Sequence, residues 1–258
     1  MGFEINKPLS VGGLNSNIGI SPYRVGFGNV LVTDSFQTTS VSRYMTEDAI
    51  KAAIATNPKI KTILKEMNAP VKLNMKELQE LTENHAKDTQ EVASGIINNL
   101  PKGLKIHVNV KSVRDAAMLH DLGKVLIPVE VLNKPGKLDP DEQKIMHRHS
   151  ELSYELLKNT DVDTRTLELV KYHHQNSSHT GYPAVKSDFF ADINLQILSA
   201  ADKYSAMTEA RVYKPAMEKD KALAIIYKDV KDGNLHPFIF KALLDYANVK
   251  PREVEKVA

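Results

Sequence analysis

The chain has 258 residues, a formal net charge of +2 and no cysteine. That length can bury one good-sized core, and a charge so near balance excludes the strong field of a general nucleic-acid or membrane binder. Without thiolates, any metal site must be built from nitrogen and oxygen donors.

Residues 1–45 read as a flexible or extended leader. Gly12, Gly13, Gly19, Gly26 and Gly28 mix with Asn and Ser there, and no periodicity lasts beyond 29–33. The opening MGFEINKPLSVGG lacks a signal peptide's basic-then-apolar pattern, and no stretch is long and apolar enough to span a bilayer. A cytoplasmic protein is expected, with neither a membrane nor nucleic acid as partner.

From residue 46 the chain reads as helix after helix. Thr46, Glu47 and Asp48 open one or two short helices over 46–67, and Asn74 caps a long one to about 99, ended by Pro101 and Gly103. The next runs over 110–122 and stops at Gly123. Asp139, Pro140 and Glu142 form an N-cap, first-turn proline and capping-box acid for a helix to about 158, and Asp163 caps another to about 175. A loop with Gly181, Tyr182 and Pro183 leads to a helix over 192–209. Three more follow, separated by Pro215, Gly233 and Pro237. Almost nothing reads as strand, so residues 46–258 are expected to form an all-α bundle behind the leader.

Helical phase tests which imidazoles and carboxylates point inward. His149 shares the apolar stripe of Ile145, Leu152 and Leu156, whereas His147 lies with Lys144, Glu151 and Tyr154, faces solvent and is excluded as a ligand. His85 aligns with Leu78, Leu81, Val92 and Ile96. His120 and Asp121 close the apolar run Ala116, Ala117, Met118, Leu119, and Asp202 lies below Leu195 and Leu198. A buried imidazole or carboxylate must be paired, hydrogen-bonded or metal-bound. A single such histidine is more often a hydrogen-bonded core residue. Five histidines, counting the adjacent His173 and His174, together with two aspartates on four or five helices of one bundle reverse those odds. Lys124 reads equally well as a cation at the helix end that His120 and Asp121 close and Arg211 as a solvated surface charge, and His107, His179 and His236 have no supporting stripe.

HDLGK at 120–124, IPVEVLNKPGKL at 127–138, MHRHSELSYELL at 146–157, HH then GYP at 173–183 and AADKYSAMTEARVYKP at 200–215 resemble, in order and spacing, the HD-GYP branch of the HD-domain phosphohydrolases. The resemblance covers about 75–246. It implies an all-α catalytic domain that hydrolyses phosphodiesters, chiefly cyclic di-GMP. By that resemblance one divalent metal is held by His85, His120, Asp121 and Asp202, and a second by His149, His173 and His174, with Asp121 bridging. A hydroxide between two such ions is poised for in-line attack on phosphorus. Mn or Fe are the foremost metals, with Mg, Co, Ni and Zn also compatible with these donors.

The resemblance further gives Lys124 the scissile phosphate, Arg211 and Lys214 the ligand's phosphates, and Tyr182 the pocket edge, against a base. The chain departs from the family at four places. Gln175 stands where an acid is usual, Ser178 and His179 replace an Asp-Gly pair, and Ser205 replaces an Asp. Leu81 stands where some relatives carry a third-metal Glu, so two metals are expected. No repeated strand-helix pattern of a receiver domain precedes 75, so control is expected from a regulatory protein partner or from the ligand, and a homodimer is also compatible. The leading expectation is a cyclic dinucleotide phosphodiesterase. The altered GYP loop leaves room for another nucleotide or phosphate ester as substrate, and Gln175 with Ser205 for a non-catalytic nucleotide- or partner-binding module.

Overall fold

The computed structural model describes residues 40–209 and 216–255. Positions 1–39 of the expected leader lie outside the described residues. Its last part is a 3-10 turn, Ser40–Tyr44, and Val41 and Met45 are buried, so apolar side chains four residues apart join the core ahead of Thr46.

Helix α1, Glu47–Thr56, is capped by Thr46, whose hydroxyl accepts from the Ala49 N–H. Asn57 then works in two directions. Its Oδ1 accepts from Lys59 N to cap α2, Pro58–Glu66, while its Nδ2 donates to the backbone carbonyl and carboxylate of Glu155 at 2.8 and 2.7 Å. Ile50, Ile60, Ile63 and Leu64 are buried beneath this pair.

The long helix expected between Asn74 and Asn99 is present in three pieces. They are α3, Met75–Glu80, a single π-helical turn Leu81–His85, and α4, Ala86–Asn99. A π turn adds one residue to a helical turn, and a slip of one position is hard to tell from the ordinary scatter of a short apolar repeat. After the short turn α5, Lys102–Lys105, comes α6, Val110–Leu119, which ends before the expected 122. Asp121 takes φ −99° and ψ 4°, and a 3-10 turn, Leu122–Leu126, follows. The cause is packing: the Gly123 N–H donates to Ser153 Oγ at 2.7 Å, and a Cβ on Gly123 would lie 2.1 Å from the His149 carbonyl oxygen. Only glycine lets this turn lie so close to its neighbour.

The turn α7, Val129–Leu132, precedes α8, Pro140–Leu157, whose capping box has both bonds in place. Helix α9, Thr164–Tyr172, is capped by Asp163 as expected but stops three residues before 175. There the His173 carbonyl accepts from the Ser199 hydroxyl, a side chain of α10, Ile193–Thr208. The last three helices are α11, Lys219–Lys231, α12, Pro237–Ala247, and α13, Pro251–Glu255.

Helix α4 is the central post, with α6, α10 and α12 packed around it; α9 lies on α6, and α8 packs on α9 and on the 3-10 turn after α6. The chain is all-α, with no strand among the described residues. No helix among them is long and apolar enough to cross a membrane. The π turn, the end of α6, the middle of α8, the end of α9 and the second half of α10 converge on one point.

Candidate metal centre

Those five elements carry His85, His120 with Asp121, His149, His173 with His174, and Asp202. The seven side chains form two groups, His85, His120, Asp121 and Asp202 in one and Asp121, His149, His173 and His174 in the other, with the donor atoms of each group within 4.8 Å of one another. Asp121 belongs to both. The two groups have the membership and the shared carboxylate expected from the resemblance.

The Asp121 carboxylate divides its oxygens between the two sides. Oδ2 lies 3.5 Å from Nε2 of both His85 and His120, and Oδ1 lies 3.2 Å from His149 Nε2 and 3.8 Å from His173 Nε2. Asp202 divides likewise: Oδ1 faces His85 and His120 at 3.2 and 3.5 Å, and Oδ2 is 4.0 Å from His174 Nδ1. Lys124 places its ammonium 2.5 Å from Asp121 Oδ2.

The rings are held from behind. Nδ1 of His120, His149 and His173 each meets the carbonyl three residues earlier, on Ala117, Met146 and Val170, at 2.9, 2.8 and 2.8 Å. A carbonyl can only accept, so each Nδ1 carries the proton and each Nε2 presents a lone pair to the centre. Two consequences follow. His149 Nε2 and His173 Nε2 face each other at 3.3 Å, acceptor against acceptor. The buried His120 Nε2 and Asp121 Oδ1 have no hydrogen-bond partner. Converging, unpaired acceptors cost free energy unless a cation sits among them, so the donor set fits divalent metal ions of the nitrogen- and oxygen-binding kind.

Protonation differs across the centre. Burial pushes His149 down to about 3 and His174 down to about 4, and burial together with neighbouring His174 holds His173 well below the ordinary imidazole value. These three are neutral, as ligands must be. Burial also works against the His85 cation, but hydrogen bonds to Asp202 and Glu209 outweigh it and raise that imidazole to about 9. Burial disfavours the Asp121 carboxylate, yet the Lys124 ammonium beside it outweighs this and holds it well below the usual carboxylate range.

Around the donors the expected contacts fall out unevenly. Tyr182 lies at the edge of the centre, but its ring is already stacked: it faces His147 with centroids 3.8 Å apart and planes 10° apart, and His174 at 4.6 Å. His147 is exposed, as its helical phase requires. Arg211 and Lys214 lie outside the described residues. Gln175 is buried and pins the GYP loop, accepting from Asn176 N and Gly181 N while its amide donates to the Pro183 carbonyl at 2.9 Å. An ionised acid could not make that last bond. Ser205 shares a 2.8 Å hydrogen bond with Thr89, which satisfies both buried hydroxyls, and Leu81 is packed in the core.

Sequence reasoning passed over Glu209. Its Oε2 lies 3.3 Å from His85 Nδ1, giving this ring the backing that His120, His149 and His173 take from carbonyls. The signal was present, since Glu209 is seven residues after Asp202 and so shares its helix face. His147 beside Tyr182 had no such signal, because the stack joins α8 to a loop far along the chain.

A family model described as HD domain matches residues 73–236. A cyclic di-GMP phosphodiesterase response regulator of Xanthomonas campestris is 39% identical over 121 residues, covering 46% of this chain and 32% of its own length. A 3'3'-cGAMP-specific phosphodiesterase of Vibrio cholerae is 30% identical over 157 residues, covering 60% of this chain and 36% of its own. The chain thus spans only about a third of the length of these curated relatives. A solved HD-GYP-type protein of Bdellovibrio bacteriovorus has the same fold, with a TM-score of 0.52 at 13% identity over 81% of this chain and 68% of that one. With the HD pair, the paired histidines and the GYP tripeptide all meeting at one centre, the chain belongs to the HD domain family, in its HD-GYP branch.

Proposed function

We propose that the protein is a metal-dependent phosphodiesterase that hydrolyses a cyclic dinucleotide, with cyclic di-GMP as the leading substrate. The observation that carries this reading is the pair of four-residue donor groups sharing Asp121. His85, His120, Asp121 and Asp202 would hold one divalent ion, and Asp121, His149, His173 and His174 the other, with Mn or Fe foremost. Ions held there supply Lewis acidity toward a phosphodiester and lower the pKa of water.

The chain's own residues do the rest. Asp121, kept ionised, holds the two half-sites in register. Lys124, now neutralising Asp121 Oδ2, stands where its ammonium can stabilise charge developing on a phosphate oxygen. Burial, with the charges of Asp121 and Asp202, pushes the Tyr182 phenol up, so it stays protonated and can donate from the pocket edge. Arg211 and Lys214 are assigned the remaining phosphate contacts, by resemblance. The family relatives named for cyclic di-GMP and for 3'3'-cGAMP support the substrate class.

The named relatives also favour a second reading, hydrolysis of 3'3'-cGAMP instead. Protein loaded with Mn or Fe under anaerobic conditions, given cyclic di-GMP, 3'3'-cGAMP and mononucleotides side by side, tests both. Cleavage of a cyclic dinucleotide is expected. Turnover of mononucleotides alone would point to another HD phosphohydrolase activity, and tight binding without turnover under any metal to a signalling module. A cytoplasmic location is part of the same proposal.

A further inference from the structure

The ring stack at the mouth of the centre runs outward from a metal-ligand position to solvent. His174, in the second donor group, is 4.6 Å from the Tyr182 ring, and Tyr182 in turn lies flat against His147, 3.8 Å away and within 10° of parallel. Tyr182 is therefore already packed against two imidazoles, one of them parallel to it, and is less open to a base than His147. The outer face of His147 is exposed, and His147 sits one helical half-turn from His149, on the part of α8 nearest the centre.

We infer that His147 is a nucleobase platform: a purine of the bound cyclic dinucleotide stacks on its outer face and extends the row His174, Tyr182, His147 by one more ring. This rests on the phosphodiesterase reading above and adds a specific contact to it. The chemistry suits a purine. Stacking on an aromatic side chain needs only a π-face, tolerates either guanine or adenine, and contributes through area and dispersion rather than through charge. Because Tyr182 holds His147 nearly parallel to itself, little side-chain freedom remains to be lost when a base arrives. The phosphates would meanwhile lie toward the donor groups and Lys124, two rings inward.

The test compares His147→Ala with His147→Phe in the metal-loaded full chain, using cyclic di-GMP, 3'3'-cGAMP and a small phosphodiester without a purine. His147→Ala is expected to raise KM for both cyclic dinucleotides about tenfold. It should change kcat far less and leave KM for the small phosphodiester within about twofold, and His147→Phe should restore KM. Equal KM for wild type and His147→Ala overturns the platform, as does a KM rise shared by the purine-free diester or a loss that Phe does not rescue. If the wild type binds and cleaves no cyclic dinucleotide, the phosphodiesterase reading itself has failed, an outcome visible before any variant is compared.

Discussion

The two halves of the centre share Asp121 and little else. On one side two imidazoles face two carboxylates, with the Glu209 carboxylate behind His85; on the other, His149 and His173 face Asp121 Oδ1, and His174 lies beside them, 4.0 Å from the second oxygen of Asp202. The first half is rich in negative charge and keeps a proton on His85, raised to about 9, while the second holds neutral rings pushed down to about 3 and 4. A divalent ion entering the first half must displace a proton but gains charge neutralisation; one entering the second half displaces none and gains less. Similar donors thus make two groups of unequal character: burial works against the imidazolium in both, and only in the first do carboxylate hydrogen bonds outweigh it.

Removing the shared residue should cause the largest change. Asp121→Ala is expected to lose both ions and to lower turnover by about a thousandfold or more. Metal analysis beside a turnover assay checks it, and retention of two ions would mean that the halves do not depend on a common carboxylate. Glu209→Gln is aimed at one half only. Since partners of ligand histidines contribute about 10–100-fold to metal affinity, titration should show one weakened site and one unchanged site. Weakening of both, or of neither, would remove the distinction between the halves.

Proton release sharpens the same contrast. Calorimetric metal titration near pH 7.5 in buffers of different ionisation enthalpy should show close to one proton released for the first half and none for the second. In metal-free protein the two halves also oppose each other in stability. His85, raised on folding, contributes stability that is full below its unfolded value of 6.5 and is lost as pH rises through about 9. His149 and His174, lowered on folding, contribute stability present above 6.5 and lost as pH falls toward about 4 and 3. Melting in chelator across pH 4–10 should therefore peak near neutrality and decline on both sides. A Glu209→Gln protein should lose part of the alkaline decline and keep the acid one.

The smallest effect concerns how the halves are held together. Gly123 lets the turn carrying His120 and Asp121 lie against the backbone at His149. Gly123→Ala should cost about 1–3 kcal/mol of stability, read by denaturant unfolding, since the contact is with backbone that cannot yield as a flexible side chain would. An unchanged midpoint would show that the two turns have room to part.

Most of the helix starts were legible, because Thr46, Asn74, Asp139, Asp163 and Asp192 announce a cap by residue type, and each is seen capping. Helix ends were less so. α6 and α9 stop early where Gly123 packs on Ser153 and where the His173 carbonyl accepts from Ser199, partners 30 and 26 residues away that no local pattern contains. The inward histidines and aspartates were legible too, since helical phase reports which face a residue occupies, and it separated His149 from His147 correctly.

Phase says nothing about what waits on that face. From residue identity and spacing alone came an all-α chain, its caps, seven inward donors and the family motifs, all of them consequences of local geometry and side-chain chemistry. Only the packed bundle decided that Asp121 turns one oxygen to each half, that Glu209 backs His85, that Gln175 ties down the GYP loop and that His147 lies flat on Tyr182. Those are contacts between elements far apart in the chain. They depend on how helices cross and where turns approach one another, which the order of residues along one helix does not encode.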